Sequence, residues 1–357
     1  MPPKVLLSGN EAIAEGALQA GCRFYAGYPI TPQNELTAYM AQHMPEKGGV
    51  FIQAESETSA INMVYGASAA GCRAMTSSSS PGISLKQEGI SYIAGAQLPA
   101  VIVNVMRGGP GLGNIAPSQA DYFQATRGGG HGDYRCIVLA PATVQEAYEC
   151  MGQAFDLADR YRIPVIVLGD GMLGQMMEPV TFSRIGALVP KNYPKPWALT
   201  GCKDRKPNIV KSFYLAEGAL EEFNLLLQKK YQAIQRTQTR YEEVFLDDAK
   251  LVLVAYGTMA RIVKSAVKQL RLRGKKVGLI RPLTLWPFPE EAIQKMLRRK
   301  KPPVFMAVEM SYGQMVQDVR LAVNGKTPVE FYGRSGGGIP AEEEIVRRAL
   351  KLYAAHS

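Results

Sequence analysis

Four short stretches carry residue types that reactive sites use, and each lies where an apolar strand-like run hands over to a loop or helix. GYPITPQNE (27–35) offers Thr31 between Pro29 and Pro32, two residues that stiffen the backbone around it. QAESETSA (53–60) brings Glu55 and Glu57 to the start of a helix-like run. TSSSSPG (76–82) lines up several hydroxyls before a glycine, and NVMRGGPGLGN (104–114) opens a long loop-rich stretch with Arg107 at a strand end. A carboxylate held away from water can tune a proton or a hydrogen bond, and a guanidinium can grip a substrate carboxylate in bidentate fashion. Each stretch also has a purely architectural reading. Thr31 could open a helix, the serines could form a flexible turn, and a glutamate at a helix start is stabilised by the helix dipole alone. The run INMVYGASAAG (61–71) after Glu57 is apolar enough to enter a core at once, which favours a carboxylate shielded from water.

Those stretches need a scaffold, and the rest of the chain supplies one. Apolar strands at 22–30, 50–53, 72–78, 99–106, 136–142 and 164–170 alternate with helical runs at 9–21, 33–43, 57–71, 83–96 and 143–161. Strands that are apolar on both faces, separated by amphipathic helices, describe an α/β fold with a mostly parallel sheet covered on both sides. Ligands of such sheets bind at the carboxyl ends of the strands, where all four stretches lie. The rhythm lapses near 180–211, and residues 211–244 read as a long helix or helical hairpin. A second α/β rhythm then starts with strands at 251–258, 276–282, 303–309 and 329–333. The expected division is 1–185 for the first domain, 186–245 for a linker with a helical segment, and 246–357 for a smaller second domain. A length of 357 residues suits this, at about 150 residues per domain.

Composition narrows the function classes. The longest apolar runs fall far short of the roughly 20 residues that span a bilayer, and the N-terminus lacks the apolar core of a signal peptide, so a cytoplasmic protein with no membrane segment is expected. Five cysteines, Cys22, Cys72, Cys136, Cys150 and Cys202, form no CxxC pair; free thiols are expected, and no metal or cluster site in this chain. The net charge of +10 is unevenly spread, with net −5 over residues 1–183, +5 over 184–245 and +10 over 246–357. The basic stretches lack the interleaved aromatics of single-strand binders, so a solvated face or a docking surface for an acidic protein is expected, and no nucleic acid. GGPGLGN and GRSGGGIP have neither phosphate-loop spacing, and the GDG at 169–171 is followed by an apolar, Pro-broken run that makes it, with Asn192, a poor metal–diphosphate motif.

GYPITPQNE, FIQAESETSAINMVYGASAAG, MTSSSSPGISLKQEGISYIAGAQLPAVIVNVMRGGPGLG, QATRGGGHGDYR and, further on, RPLTLWPFP and VEMSYGQMVQDV together resemble the alpha subunits of the 2-oxoacid:ferredoxin oxidoreductases. The resemblance covers nearly the whole chain and is nearest to the group acting on branched-chain 2-oxoacids such as 3-methyl-2-oxobutanoate, with the 2-oxoglutarate group as the alternative. It implies a pyrimidine-binding domain for thiamine diphosphate and a transketolase C-terminal-like domain. It also implies a beta subunit that shares the cofactor and holds Mg2+ and a 4Fe-4S cluster, companion gamma and ferredoxin-like delta subunits, and coenzyme A and ferredoxin as reaction partners. By the same resemblance Glu57 matches the cofactor-activating carboxylate, Thr31 and Arg107 match the residues that hold the 2-oxoacid carboxylate, and Pro29 and Ile30 would lie along the cofactor ring. A non-oxidative thiamine enzyme and a non-catalytic scaffold are the rival readings.

Overall fold

Three runs that are buried along their whole length fix the centre of the larger sheet: AMTSS, AVIVNVM and PVIVLGD. The computed structural model describes residues 4–182 and 193–356. The first half contains β1 (Lys4–Ser8), α1 (Gly9–Gln19), β2 (Phe24–Gly27), α2 (Asn34–His43), β3 (Val50–Gln53), α3 (Glu57–Ala69), β4 (Ala74–Ser78), α4 (Ser80–Gly95) and β5 (Ala100–Met106). It continues through α5 (Tyr122–Thr126), β6 (Ile137–Leu139), α6 (Val144–Tyr161), β7 (Pro164–Asp170), α7 (Gly171–Gln175) and β8 (Met177–Thr181). After α8 (Ala219–Gln238) come β9 (Tyr241–Val244), β10 (Leu251–Val254), α9 (Gly257–Leu272), β11 (Val277–Pro282) and β12 (Thr284–Trp286). The chain ends with α10 (Glu290–Leu297), β13 (Val304–Glu309), α11 (Met315–Val323), β14 (Val329–Gly333) and α12 (Glu342–Ala355).

The larger sheet has the order β12-β6-β7-β5-β4-β2-β3 and is parallel except for β12, which runs antiparallel to β6. Helices α3 and α4 pack together on one face, and α1 and α6 on the other. Such double coverage is what strands without a polar face require. From β2 the chain leaves towards β3 at the sheet edge, whereas from neighbouring β4 it leaves the opposite way, towards β5. Connections that part in this manner open a crevice outside the carboxyl ends of β2 and β4.

The smaller sheet, β14-β13-β10-β11-β9, is parallel apart from β9. The two sheets are stitched to one another: β12, far along the chain, extends the first sheet, while beside it the Leu283 amide donates to the Arg240 carbonyl and the Ala140 amide to the Leu283 carbonyl. The helix read over 211–244 occupies only the span of α8, and its last residues form β9. The β1–β8 ribbon, β12 and α12 add to the elements read from the sequence. All five cysteines are free. Among the described residues, no helix is long and apolar enough to cross a membrane.

Candidate active site

The crevice between β2 and β4 is bordered by the loop of residues 28–33, and that loop is clamped from three sides. Asn10 Nδ2 and Gln175 Nε2 donate to the Pro32 carbonyl at 2.7 and 3.0 Å. Buried Gln33 accepts from Ser77 Oγ at 2.6 Å, and Ser77 in turn meets the Tyr25 hydroxyl at 2.6 Å. A loop fixed this way can leave apolar groups in the open: Tyr28 and Pro29 are exposed, and Ile30 and Thr31 half-buried. The Thr31 hydroxyl accepts from Asn34 Nδ2 at 3.2 Å.

The two glutamates of QAESE separate cleanly. Ser56, in extended geometry, caps α3 through its hydroxyl, which accepts from the Ser59 amide at 3.1 Å. Glu55, before the cap, is exposed and accepts from Ser59 Oγ. Glu57, the first residue of the helix, is buried against α4. The closeness of that contact shows at Gly82, where a Cβ would lie 2.6 Å from Glu57 Oε1 and 2.1 Å from Ser78 Oγ. Any Cβ here would push both side chains back.

Arg107, at the end of β5, is buried. Its Nη1 donates to the Thr31 carbonyl at 3.0 Å and its Nη2 to the Leu112 carbonyl at 3.1 Å, while Nε has no partner. Its backbone amide donates to Ser80 Oγ at 3.0 Å, and Ser80 donates to Asp121 Oδ2 at 2.6 Å. Burial pushes the Asp121 carboxyl up, against the pull of its Ser80 and Asn104 donors. The serine run therefore serves several masters within four residues: Ser77 holds the β2 loop, Ser78 faces Glu57, and Ser80 ties down Arg107. Thr31 and Arg107 are joined directly, and Glu57 stands beside the same run.

Beyond these residues the structure adds Lys86, which the sequence does not single out. It is fully buried on α4 with its ammonium lacking any hydrogen-bond partner, and Glu57 is the charge that acts on it. The signal the sequence carries is spacing: Lys86 falls three residues after Ile83 and four before Ile90, on the apolar side of the helical run. Unpartnered buried polar atoms, Ser78 Oγ, Arg107 Nε and Lys86 Nζ, thus cluster around the crevice. They fit a polar ligand that brings both donors and acceptors.

Other motifs are used structurally. Asp170 of the GDG turn caps α7, accepting from the Met172 and Leu173 amides at 3.0 and 3.1 Å, and is buried; Asn192 lies outside the described residues. The two glycine-rich loops meet each other: Asn114 Nδ2 donates to the Gly336 carbonyl, and Gly337, at φ 90°, has the Ala116 side chain 2.6 Å from where its Cβ would be. Arg127 pairs with Asp318 of the second domain at 2.6 Å.

An α/β sheet with a carboxylate and a guanidinium at its switch crevice, joined to a second, mostly parallel domain, is the arrangement of a ligand-binding α/β protein. Residues 15–239 match the thiamine diphosphate-binding domain of the pyruvate flavodoxin/ferredoxin oxidoreductases, and residues 249–345 match core domain II of pyruvate:ferredoxin oxidoreductase. The chain belongs to this oxidoreductase family. It is 52% identical to the ketoisovalerate oxidoreductase subunit VorB of Methanothermobacter marburgensis, over 97% of each chain. It is 38% identical to the 2-oxoglutarate synthase subunit KorA of Methanothermobacter thermautotrophicus, over 99% of this chain and 100% of that one. In structure it resembles a 2-oxoglutarate:ferredoxin oxidoreductase from Magnetococcus marinus, solved with 2-oxoglutarate, coenzyme A and succinyl-CoA bound. That likeness has a TM-score of 0.86 and 26% identity, covering 99% of this chain and 66% of that chain. A split-gene transketolase shares the fold alone, at a TM-score of 0.60 and 14% identity.

Proposed function

We propose that this chain is the alpha subunit of a thiamine diphosphate-dependent 2-oxoacid:ferredoxin oxidoreductase that acts on a branched-chain 2-oxoacid, 3-methyl-2-oxobutanoate. The observation that carries the substrate is the 52% identity, end to end, with a ketoisovalerate oxidoreductase subunit, against 38% for the 2-oxoglutarate subunit. The commitment of Arg127 to Asp318 supports it, since a second substrate carboxylate needs a free cation.

Thiamine diphosphate, when bound, supplies the nucleophilic carbon and the electron sink. The chain's own residues do the rest of this half of the site. Glu57 accepts a hydrogen bond from the pyrimidine ring nitrogen, in a buried setting where such a bond is strong. Pro29 and Ile30 present an apolar surface to the ring, and the clamped loop keeps that surface in place. Thr31 and Arg107 hold the 2-oxoacid carboxylate, and the bonds from Arg107 to the Thr31 and Leu112 carbonyls set the guanidinium before substrate arrives.

In this reading 1–185 is the pyrimidine-binding domain, 186–245 the connector and 246–357 the transketolase C-terminal-like domain. A beta subunit supplies the diphosphate cradle, Mg2+ and the 4Fe-4S cluster; gamma and ferredoxin-like delta subunits complete the assembly. The 2-oxoacid and coenzyme A become acyl-CoA and carbon dioxide, and the electrons leave singly to ferredoxin in the cytoplasm. The test is purification of the native complex without oxygen, native mass spectrometry with thiamine and iron analysis, and dye reduction with a panel of 2-oxoacids. Highest kcat/KM with 3-methyl-2-oxobutanoate is expected. A preference for 2-oxoglutarate would overturn the substrate, and a lone chain free of thiamine and iron would overturn the assembly.

A further inference from the structure

The seam between α3 and α4 is marked at both ends by glycine. A Cβ on Gly82 would lie 2.6 Å from Glu57 Oε1, and one on Gly89 would lie 2.5 Å from the Ile61 side chain. Gly82, Lys86 and Gly89 are spaced i, i+4 and i+7 on α4, so they share one face, just as Glu57 and Ile61 share a face of α3. Lys86 therefore enters the seam between the two close contacts. Long helical side chains lean towards the helix N-terminus, which directs its ammonium back towards Gly82 and Glu57. The side chain is fully buried and the ammonium has no hydrogen-bond partner. An ammonium left so carries a large desolvation cost unless a charge or a ligand compensates it.

We propose that Lys86 is a positioning residue for Glu57: its ammonium compensates and orients the Glu57 carboxylate in the α3–α4 seam, and so sets the face that meets the pyrimidine ring of thiamine diphosphate. The proposal rests on the reading of Glu57 given above. It adds a charged partner for that carboxylate on the same chain.

The surroundings leave Glu57 as the opposing charge. On α3 the titratable residues are Glu57 and Tyr65; β5 carries none, and Arg107 after it is bonded to the Thr31 and Leu112 carbonyls; β7 ends in Asp170, which is engaged as the α7 cap. The loop packed on α4 brings Asp121, which accepts from Ser80 and Asn104, His131 beside Ser91 Oγ and Tyr134 beside Gln87 Oε1, and on α4 itself Glu88 and Tyr92 are exposed. Of all these, Glu57 is the charge that acts on Lys86. Burial pushes the Lys86 ammonium down to about 8, with Glu57 pulling the other way. Lys86 is therefore charged at neutral pH and loses its charge as the pH rises past about 8.

The experiment is calorimetric titration of cofactor-depleted, assembled complex with thiamine diphosphate across this pH range. For the unaltered complex the dissociation constant should be nearly flat up to about pH 7.5 and rise roughly fivefold by about pH 9. Lys86→Met, which conserves the unbranched stem, should bind roughly tenfold more weakly at pH 7 and show no such rise. Lys86→Met added to Glu57→Gln should cost nothing beyond Glu57→Gln alone, because the charge it serves is gone. If Glu57→Gln itself changes neither affinity nor turnover, the reading of Glu57 fails. If Glu57→Gln is impaired while Lys86→Met keeps the parental affinity and pH profile, the Lys86 proposal alone is overturned. An unaltered complex whose affinity is constant through about pH 9 overturns it without any variant.

Discussion

Gly82→Ala separates the geometry of the Glu57 carboxylate from the stability of the helix that faces it. The added methyl would lie 2.6 Å from Glu57 Oε1 and 2.1 Å from Ser78 Oγ. Comfortable carbon–oxygen contact begins near 3.4 Å, so the carboxylate oxygen must retreat by about 0.8 Å and the serine hydroxyl by somewhat more. Misplacement of that size at a reacting centre costs about a hundredfold in rate. The effect on folding is much smaller: alanine gains up to about 1 kcal/mol over glycine in a helix, and overpacking costs about 1–3 kcal/mol. Neither displaced group is backbone, and the helical φ of Gly82 lies outside the left-handed region. Gly89→Ala is the matched control, since its methyl would strike Ile61 at 2.5 Å, on the same helix, with no catalytic group in contact. The assay is 2-oxoacid-dependent dye reduction by the assembled complex, with a calorimetric melt of each variant. Gly82→Ala should lose about a hundredfold in turnover with a melting shift of a few degrees, while Gly89→Ala shows a similar shift and keeps turnover within about threefold. Parental turnover in Gly82→Ala, or equal loss in both variants, would refute the reasoning.

Two further predictions concern the joints of the molecule. Gln119 donates to the Tyr256 carbonyl at 3.0 Å and accepts from the Met310 amide at 3.1 Å, fully buried between the domains; Gln119→Ala leaves the Met310 amide unpaired, while the Tyr256 carbonyl keeps the Ala260 amide, and should cost about 1–3 kcal/mol, seen as a lowered calorimetric transition. Lys230 docks α8 by donating to Gln97 Oε1 and the Arg162 carbonyl, and burial pushes it down from 10.5 to about 7. Between those values the unfolded chain holds more protons than the native one, so stability should rise with pH there, by at most about 1.4 kcal/mol per pH unit, and Lys230→Met should remove that slope in urea unfolding at pH 7 and 9.

Much of the scaffold is legible because burial on both faces leaves its mark in composition. VFIQ, PVIVLGD and VEFYG form strands at the expected bounds. What escapes are elements whose identity depends on distant partners: β12 is three residues with no periodicity, and it is a strand because β6 lies beside it. The same division holds at the site. Glu57 and Arg107 stand at strand-to-helix and strand-to-loop junctions, where type and position both speak, whereas the choice between Glu55 and Glu57 is made by the Ser56 cap. Lys86 looks like an ordinary polar position until Gly82 and Gly89 are seen to fix the face of α4 on which it lies. The pairing of Arg127 leaves no mark in the local sequence because Asp318, its partner, is 191 residues away.

The long loop that begins at Arg107 shows why two domains on one chain matter for a site built mostly from the first. Its opening is tied to the crevice, with Arg107 bonded to Thr31 and Leu112 and bridged to Pro117. Its later part is held by the second domain: the Gln119 amide donates to Met310, Gln314 bonds the Phe123 amide and the Ala120 carbonyl, and the Tyr122 hydroxyl donates to Asp318. Glu309, at the end of β13, accepts from the Gln314, Met315 and Val316 amides and so fixes the start of α11 that presents Gln314 and Asp318. The loop is thus bonded to the crevice at its start and to the second domain at its far end. The conformation of the loop that carries Arg107 is therefore fixed by contacts from both domains.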